Sequence, residues 1–203
     1  MNTHKFFTSS FLFIMTVLIA LGGLWQSAAA KSGIYRLHEG ETIELGKQGL
    51  HATNIPLGVS DVYMATVSKA LPPRFNHDVD IRYRAPAMEV RFLTENGGEV
   101  NNNSALVYVY FNIGKAERAL WFASGMDKIA IWFVSEEAGK WEMCHTYFVN
   151  ESRDNGKFDR LACLAPGSGY YVLGSGDFDV ELYTPYKLTT TLVTNPTQKY
   201  SAQ

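Results

Sequence analysis

The chain has 203 residues, with 18 basic against 20 acidic side chains and a formal net charge of −2 at pH 7. That near balance gives no electrostatic reason to expect nucleic acid or an anionic membrane surface as a partner. Aromatics are plentiful, with 11 Tyr, 12 Phe and 4 Trp, a composition common in extracellular β proteins and on carbohydrate-facing surfaces.

Residues 1–30 read as a targeting segment. Lys5 is the one charge in a short polar start, Phe6 to Trp25 is almost wholly apolar, and Ala28-Ala29-Ala30 supplies the small residues of a cleavage site. The apolar run is also long enough to stand as an uncleaved anchor helix, which is the alternative. Either way, Lys31 onward is expected outside the cytoplasm, in the periplasm, secreted or at the cell surface, where a disulfide persists. A membrane is expected as a partner only through this leader, if it is uncleaved.

Residues 31–184 are expected to form one domain, with 185–203 a polar, threonine-rich tail. Ile34 to Leu37, Thr42 to Leu45 and Asp61 to Val67 are short candidate strands, with His51 to Ser60 irregular between them. Asp78 to Arg84 alternates charged and apolar residues, so Val79, Ile81 and Tyr83 face inward in a half-buried antiparallel strand. Met88, Val90 and Phe92 repeat the pattern, and Leu106 to Phe111 follows as a strong strand. Lys115 to Gly125 predicts one short helix, with Ala116, Ala119, Leu120 and Ala123 at helical spacing and Gly125 as its stop; a strand through Leu120 to Phe122 is the alternative.

Lys128 to Gly174 carries the clearest signal. Ile129 to Val134 is a β-branched and aromatic run, Ser135 to Lys140 a polar connection, and Trp141 to Val149 the next strand. A turn over Asn150 to Gly156 leads to Phe158–Leu164, and Pro166 to Gly169 leads to Tyr170–Leu173. Asp177 to Tyr183 offers a last strand. About nine or ten short strands and at most one short helix predict an all-β, antiparallel β-sandwich.

The turn near Arg153 and Asp154 also sets a register. It places Cys144 opposite Cys163, Tyr147 opposite Arg160 and Val149 opposite Phe158, so the two cysteines are expected to form a cross-strand disulfide. Trp141, Met143, Tyr147, Val149, Phe158, Ala162 and Leu164 would then face the core, with the cysteines on the other side.

The order Ile131-Trp132-Phe133, an acidic-glycine turn, Lys140-Trp141, a polar hairpin and Gly169-Tyr170-Tyr171-Val172-Leu173-Gly174 resembles the C-terminal half of immunoglobulin-like sandwich domains of bacterial surface and secreted proteins. The resemblance covers about a quarter of the chain. It implies an extracellular binding or structural module, and it brings no catalytic residues.

Reaction chemistry finds no motif. Ser168 and Ser175 lie in turn-like Gly-Ser-Gly contexts and not in a nucleophile elbow. Gly167, Gly169 and Gly174 lack the spacing of a phosphate loop. The five histidines form no ligand pair, and Cys144-His145 lacks the remainder of a copper set. His145 is expected to be hydrogen-bonded in the sandwich. Asp154-Asn155-Gly156 reads as a turn and not a calcium loop, and Glu136-Glu137 as a solvated acidic tip. No catalytic, cofactor or metal residue is assigned. Asn102-Asn103-Ser104 and Asn150-Glu151-Ser152 are glycosylation sequons on predicted turns.

The aromatic residues Tyr108, Tyr110, Trp121, Trp132, Tyr170 and Tyr171 are the candidate partner surface. Alternation sends Tyr108 and Tyr110 to one face of their strand and Val107 and Val109 to the other. The function expected is a non-enzymatic structural or protein-interaction subunit of the cell envelope. A carbohydrate-binding module is the first alternative and a secreted hydrolase on a sandwich scaffold the second.

Overall fold

A computed structural model describes residues 32–67, 80–100, 107–153 and 156–179. The leader and its cleavage site, the tail from 185, the sequon at Asn102, Val79 and the apex Asp154-Asn155 lie outside the described residues.

Among the described residues, twelve strands form two antiparallel sheets. In chain order they are β1 (Gly33–Arg36), β2 (Thr42–Leu45), β3 (Gln48–Ala52), β4 (Asp61–Val67), β5 (Arg82–Tyr83), β6 (Ala87–Leu93), β7 (Val107–Asn112), β8 (Ile129–Val134), β9 (Glu142–Cys144), β10 (Thr146–Arg153), β11 (Gly156–Leu164) and β12 (Gly169–Ser175). The seven-stranded sheet runs β1-β4-β6-β12-β8-β9, with β5 beside β12, and the five-stranded sheet runs β10-β11-β7-β3-β2.

Alternation builds the core between the sheets. Met88, Val90 and Phe92 of β6, Ile129 and Ile131 of β8 and Tyr171 and Leu173 of β12 meet Leu50 of β3, Val107, Val109 and Phe111 of β7 and Leu161 of β11. All are buried. Their opposite neighbours on β8 and β12 are buried too. Trp132, Val134 and Val172 join Trp141, Met143, Tyr170 and Phe178 in a second cluster on the outer side of the seven-stranded sheet, with Trp132 and Phe178 at 5.0 Å, edge to face. Apolar cover on both sides explains why β8 reads as an unbroken apolar run.

The helix α1 (Lys115–Ser124) forms, and Gly125 ends it at φ 56°. Its attachment differs from the expected alanine stripe. Ala116, Ala119 and Ala123 are exposed, while Leu120 and Trp121 pack on the core and Phe122 stands 5.0 Å from Phe148. Small side chains have too little surface to anchor a helix that two larger ones already hold.

Other expectations are corrected. Trp141 to Val149 is two strands, because the chain leaves the seven-stranded sheet after Cys144 and enters the other at Thr146. Thr146 Oγ1 stitches this corner, accepting from Ile131 N–H at 2.9 Å and donating to the Cys144 carbonyl at 2.8 Å. The hairpin register is shifted by two residues, with Thr146 opposite Cys163, Val149 opposite Arg160 and Arg153 opposite Gly156. The turn is therefore tighter and later than expected. The disulfide Cys144–Cys163 forms, yet it joins β9 to β11 across the two sheets, inside the core. The half-buried strand expected over Asp78 to Arg84 reduces, in its described part, to two residues paired with Gly174 and Ser175. Ile81 and Tyr83 are half-buried as expected, but against the cluster on the outer side of the sheet and not in the core between the sheets. Pro86 separates this pairing from that of β6 on the same flank of β12. Asp177 to Asp179 is not strand, and β3 occupies part of a stretch expected to be irregular.

Candidate functional site

The strand β7, Val-Tyr-Val-Tyr-Phe, carries no charge on either face. Its valines enter the core, which leaves Tyr108 and Tyr110 on the outer side of the five-stranded sheet. Register supplies their neighbours. Tyr147, Ala162, Tyr110 and Gly49 lie in one row across four strands, and Leu164, Tyr108 and His51 in the next. Val149, Arg160 and Asn112 form the row on the other side.

These rows enclose a hollow of about 310 Å³, lined chiefly by the three tyrosines, His51, Arg160 and Ala162. Its concavity is encoded by small residues. Ala162 is a floor between larger neighbours. At Gly49 a Cβ would stand 2.5 Å from Tyr110 Oη and 2.2 Å from the Ile43 carbonyl oxygen. Only glycine lets the Tyr110 ring fold down over the sheet.

Arg160 closes one side. Its guanidinium sits 4.1 Å from the centre of the Tyr110 ring. Nε donates to Asn112 Oδ1 at 2.8 Å and Nη2 to Glu44 Oε1 at 3.1 Å. The side chain is only 3% exposed, so its cost of desolvation is met by an acid, an amide and a ring. Tyr147 stands proud of the opposite wall, 46% exposed, braced edge to face by His145 at 4.7 Å. On the rim, Thr42 Oγ1 and His51 Nδ1 share a hydrogen bond of 2.9 Å. Contrary to expectation, His145 Nδ1 is buried without a hydrogen-bond partner; the ring contact is what places it.

A second hollow, about 330 Å³, opens on the seven-stranded sheet between the β8–β9 connection and Pro166–Tyr170. Arg91 stands at its centre. It donates to Glu89 at 2.7 Å, Glu99 at 3.0 Å and Glu136 at 3.1 Å. The bond to Glu89 and the three negative charges raise its pKa further above the ordinary arginine range. Glu136 is therefore an ion-pair partner and not a purely solvated tip. Burial raises the Tyr170 phenol, and the charges of Glu89 and Glu136 add to this. Glu137 and Glu142 complete the acidic wall.

The six aromatic candidates are dispersed. Tyr108 and Tyr110 share the groove. Trp121 packs its helix on the core, Trp132 and Tyr171 are fully buried, and Tyr170 lines the acidic hollow. Tyr147, His51, Arg160, Ala162 and Gly49 complete the groove and were not among the candidates. The expected core facing of Tyr147 and Ala162 is reversed: both lie on the outer face of the five-stranded sheet. Among the described residues no His, Cys, Asp and Glu side chains group as a metal site. Compared with protein-family models, with curated proteins and with solved structures, the chain matches none.

Proposed function

We propose that the chain is an exported, non-enzymatic β-sandwich of the immunoglobulin-like type that serves as a binding subunit at the cell envelope. The observation that carries this reading is the aromatic groove on the five-stranded sheet. It has a rigid floor, a braced and exposed tyrosine, and one charged lining residue among those described, Arg160, already engaged by Glu44 and Asn112. Such a surface recognises a ligand, and it offers neither a nucleophile with a base nor a pair of acids to transform one. Export is supported by the sequence of residues 1–30 and by a core disulfide, which suits an oxidising compartment. The immunoglobulin-like grouping rests on the pattern from Ile131 to Gly174.

The test places a photo-crosslinking phenylalanine analogue at position 147 in cells producing the full chain. The adduct is expected in the envelope fraction and is lost when Tyr108→Ala is added. The same analogue at Leu57, which is 92% exposed in the loop between β3 and β4, is the control. Equal labelling from the two positions, or a chain found in the cytoplasmic fraction, defeats the proposal.

A further inference from the structure

We infer that the groove over Ala162 takes an uncharged glycan, one or two pyranose rings lying against Tyr147 with their hydroxyls on the polar rim. This deepens, and rests on, the reading of the chain as a binding subunit. The argument begins with charge. A site for an anionic sugar, a phosphate or an acidic peptide keeps a cation facing the ligand. Here the cation, Arg160, is turned onto the Tyr110 ring and held by Glu44 at 3.1 Å and Asn112 at 2.8 Å. A site for a cationic ligand would place a carboxylate on the lining, and none of the described lining residues is acidic. Charge matching therefore favours a neutral occupant.

Shape and polarity narrow the class. A lipid chain asks for an enclosed apolar cavity, whereas this hollow is an open trough whose apolar floor is only Ala162 and Val149 between rings. Tyr110 Oη is buried over Gly49, but Tyr108 and Tyr147 carry hydroxyls and His51 an imidazole on the lining, so the apolar surface is bordered by donors and acceptors. A pyranose has the matching character, with C–H groups on its faces and hydroxyls around its edge. The volume of about 310 Å³ sits at the small end of ligand sites.

Preorganisation adds the third element. An exposed tyrosine normally gives up rotamer freedom on binding, but His145 already fixes the Tyr147 ring at 4.7 Å. Tyr110 is likewise fixed, between Gly49 below and Arg160 above. Rigid aromatic contacts give affinity without that entropic cost.

The full chain is screened against an array of neutral glycans, and hits are titrated calorimetrically beside hexagalacturonate as the anionic comparison. The expected result is binding of at least one neutral oligosaccharide, weakened about tenfold or more by Tyr147→Ala and kept within about threefold by Tyr147→Phe, as expected for ring stacking. Tyr147 lies on an edge strand and is half exposed, so the variant is expected to fold; its melting temperature checks this. Tyr108→Ala is the second variant from the opposite wall. Binding indifferent to both variants, tighter binding of the uronate, or silence across the array overturns the glycan assignment. Silence with a groove-dependent crosslink to an envelope protein removes the glycan and retains the binding subunit. Silence with no crosslink removes both.

Discussion

Removing the Cys144–Cys163 bridge should cost this fold a large part of its stability, because the bridge ties two sheets and not two neighbouring strands. The cysteines are 19 residues apart in sequence, with Cα atoms 6.0 Å apart. A loop of that size contributes about 3 kcal/mol in the chain-entropy model. Both sulfurs are almost fully buried in the main core, at 1% and 0% residue exposure. Truncation to alanine removes two packed atoms and adds roughly 1 kcal/mol each. The Cys144→Ala/Cys163→Ala chain is therefore expected to lose about 4–5 kcal/mol, from a total that is typically about 5–15. For a domain of this size the melting temperature should fall by about 8–20 °C. The assay is reversible urea unfolding of the full chain, comparing the oxidised protein, the reduced protein and the double variant. Reduction alone should reproduce most of the loss. It should also be slow below the unfolding transition, since a reductant cannot reach sulfurs inside the sandwich. A loss under about 1 kcal/mol, or reduction of the native protein as fast as of the urea-unfolded chain, would refute the inter-sheet placement as a stabilising clamp.

Two further perturbations probe the hollows. Gly49→Ala drives a Cβ to within 2.2 Å of the Ile43 carbonyl oxygen, which is backbone and cannot swing away; a loss of about 1–3 kcal/mol is expected, with Tyr110 displaced and glycan binding weakened, and an unchanged urea midpoint would show that the ring does not lie over that residue. Burial raises the phenols of Tyr83 and Tyr170 above their ordinary value, so in the window above about pH 10 the unfolded chain gives up these protons first. It then holds fewer protons than the folded chain, and stability falls as pH rises through that window. Tyr170→Phe should flatten the fall measured by urea unfolding between pH 8 and 11, and an unaltered slope would count against the buried phenol.

Much of the architecture was legible because local pattern and tertiary role agree. Thr42–Leu45, Asp61–Val67 and Ile129–Val134 are strands with the bounds their side chains announce, and Gly125 stops its helix as its position suggests. The failures have definite causes. Gln-Gly-Leu-His-Ala has no strand signal of its own; β3 exists because β2 and β7 pair with it on both sides. The hairpin register slipped by two, which leaves every side chain on its own side. The facing error therefore came from elsewhere. Tyr147, Val149 and Ala162 were assigned to the core because they are apolar, while Phe148, Leu161 and Cys163 are the residues that enter it or pack against it. Periodicity identifies two faces but cannot choose between them when both are apolar. Of the groove, Tyr108 and Tyr110 were readable from alternation, whereas Tyr147, His51 and Arg160 arrive from three other strands through register.

That ambiguity bears on the proposed binding face. An outer sheet face meant only for water alternates charged or polar residues with the apolar ones that enter the core. The outer face of β8 and β12 breaks that rule and is sealed by a second cluster, with Trp132 fully buried. The outer face of β7, β10 and β11 breaks it too, yet Tyr147 remains 46% exposed over a hollow. Apolar surface left unsealed gives up burial energy, and a buried arginine with partners drawn from two further strands is a demanding arrangement to keep beside it. Neither is needed to hold the sheets together, because the core between them and the disulfide already do so. The unsealed face is what the proposed binding role would use, and the place to test it is the trough between Tyr147 and Tyr108.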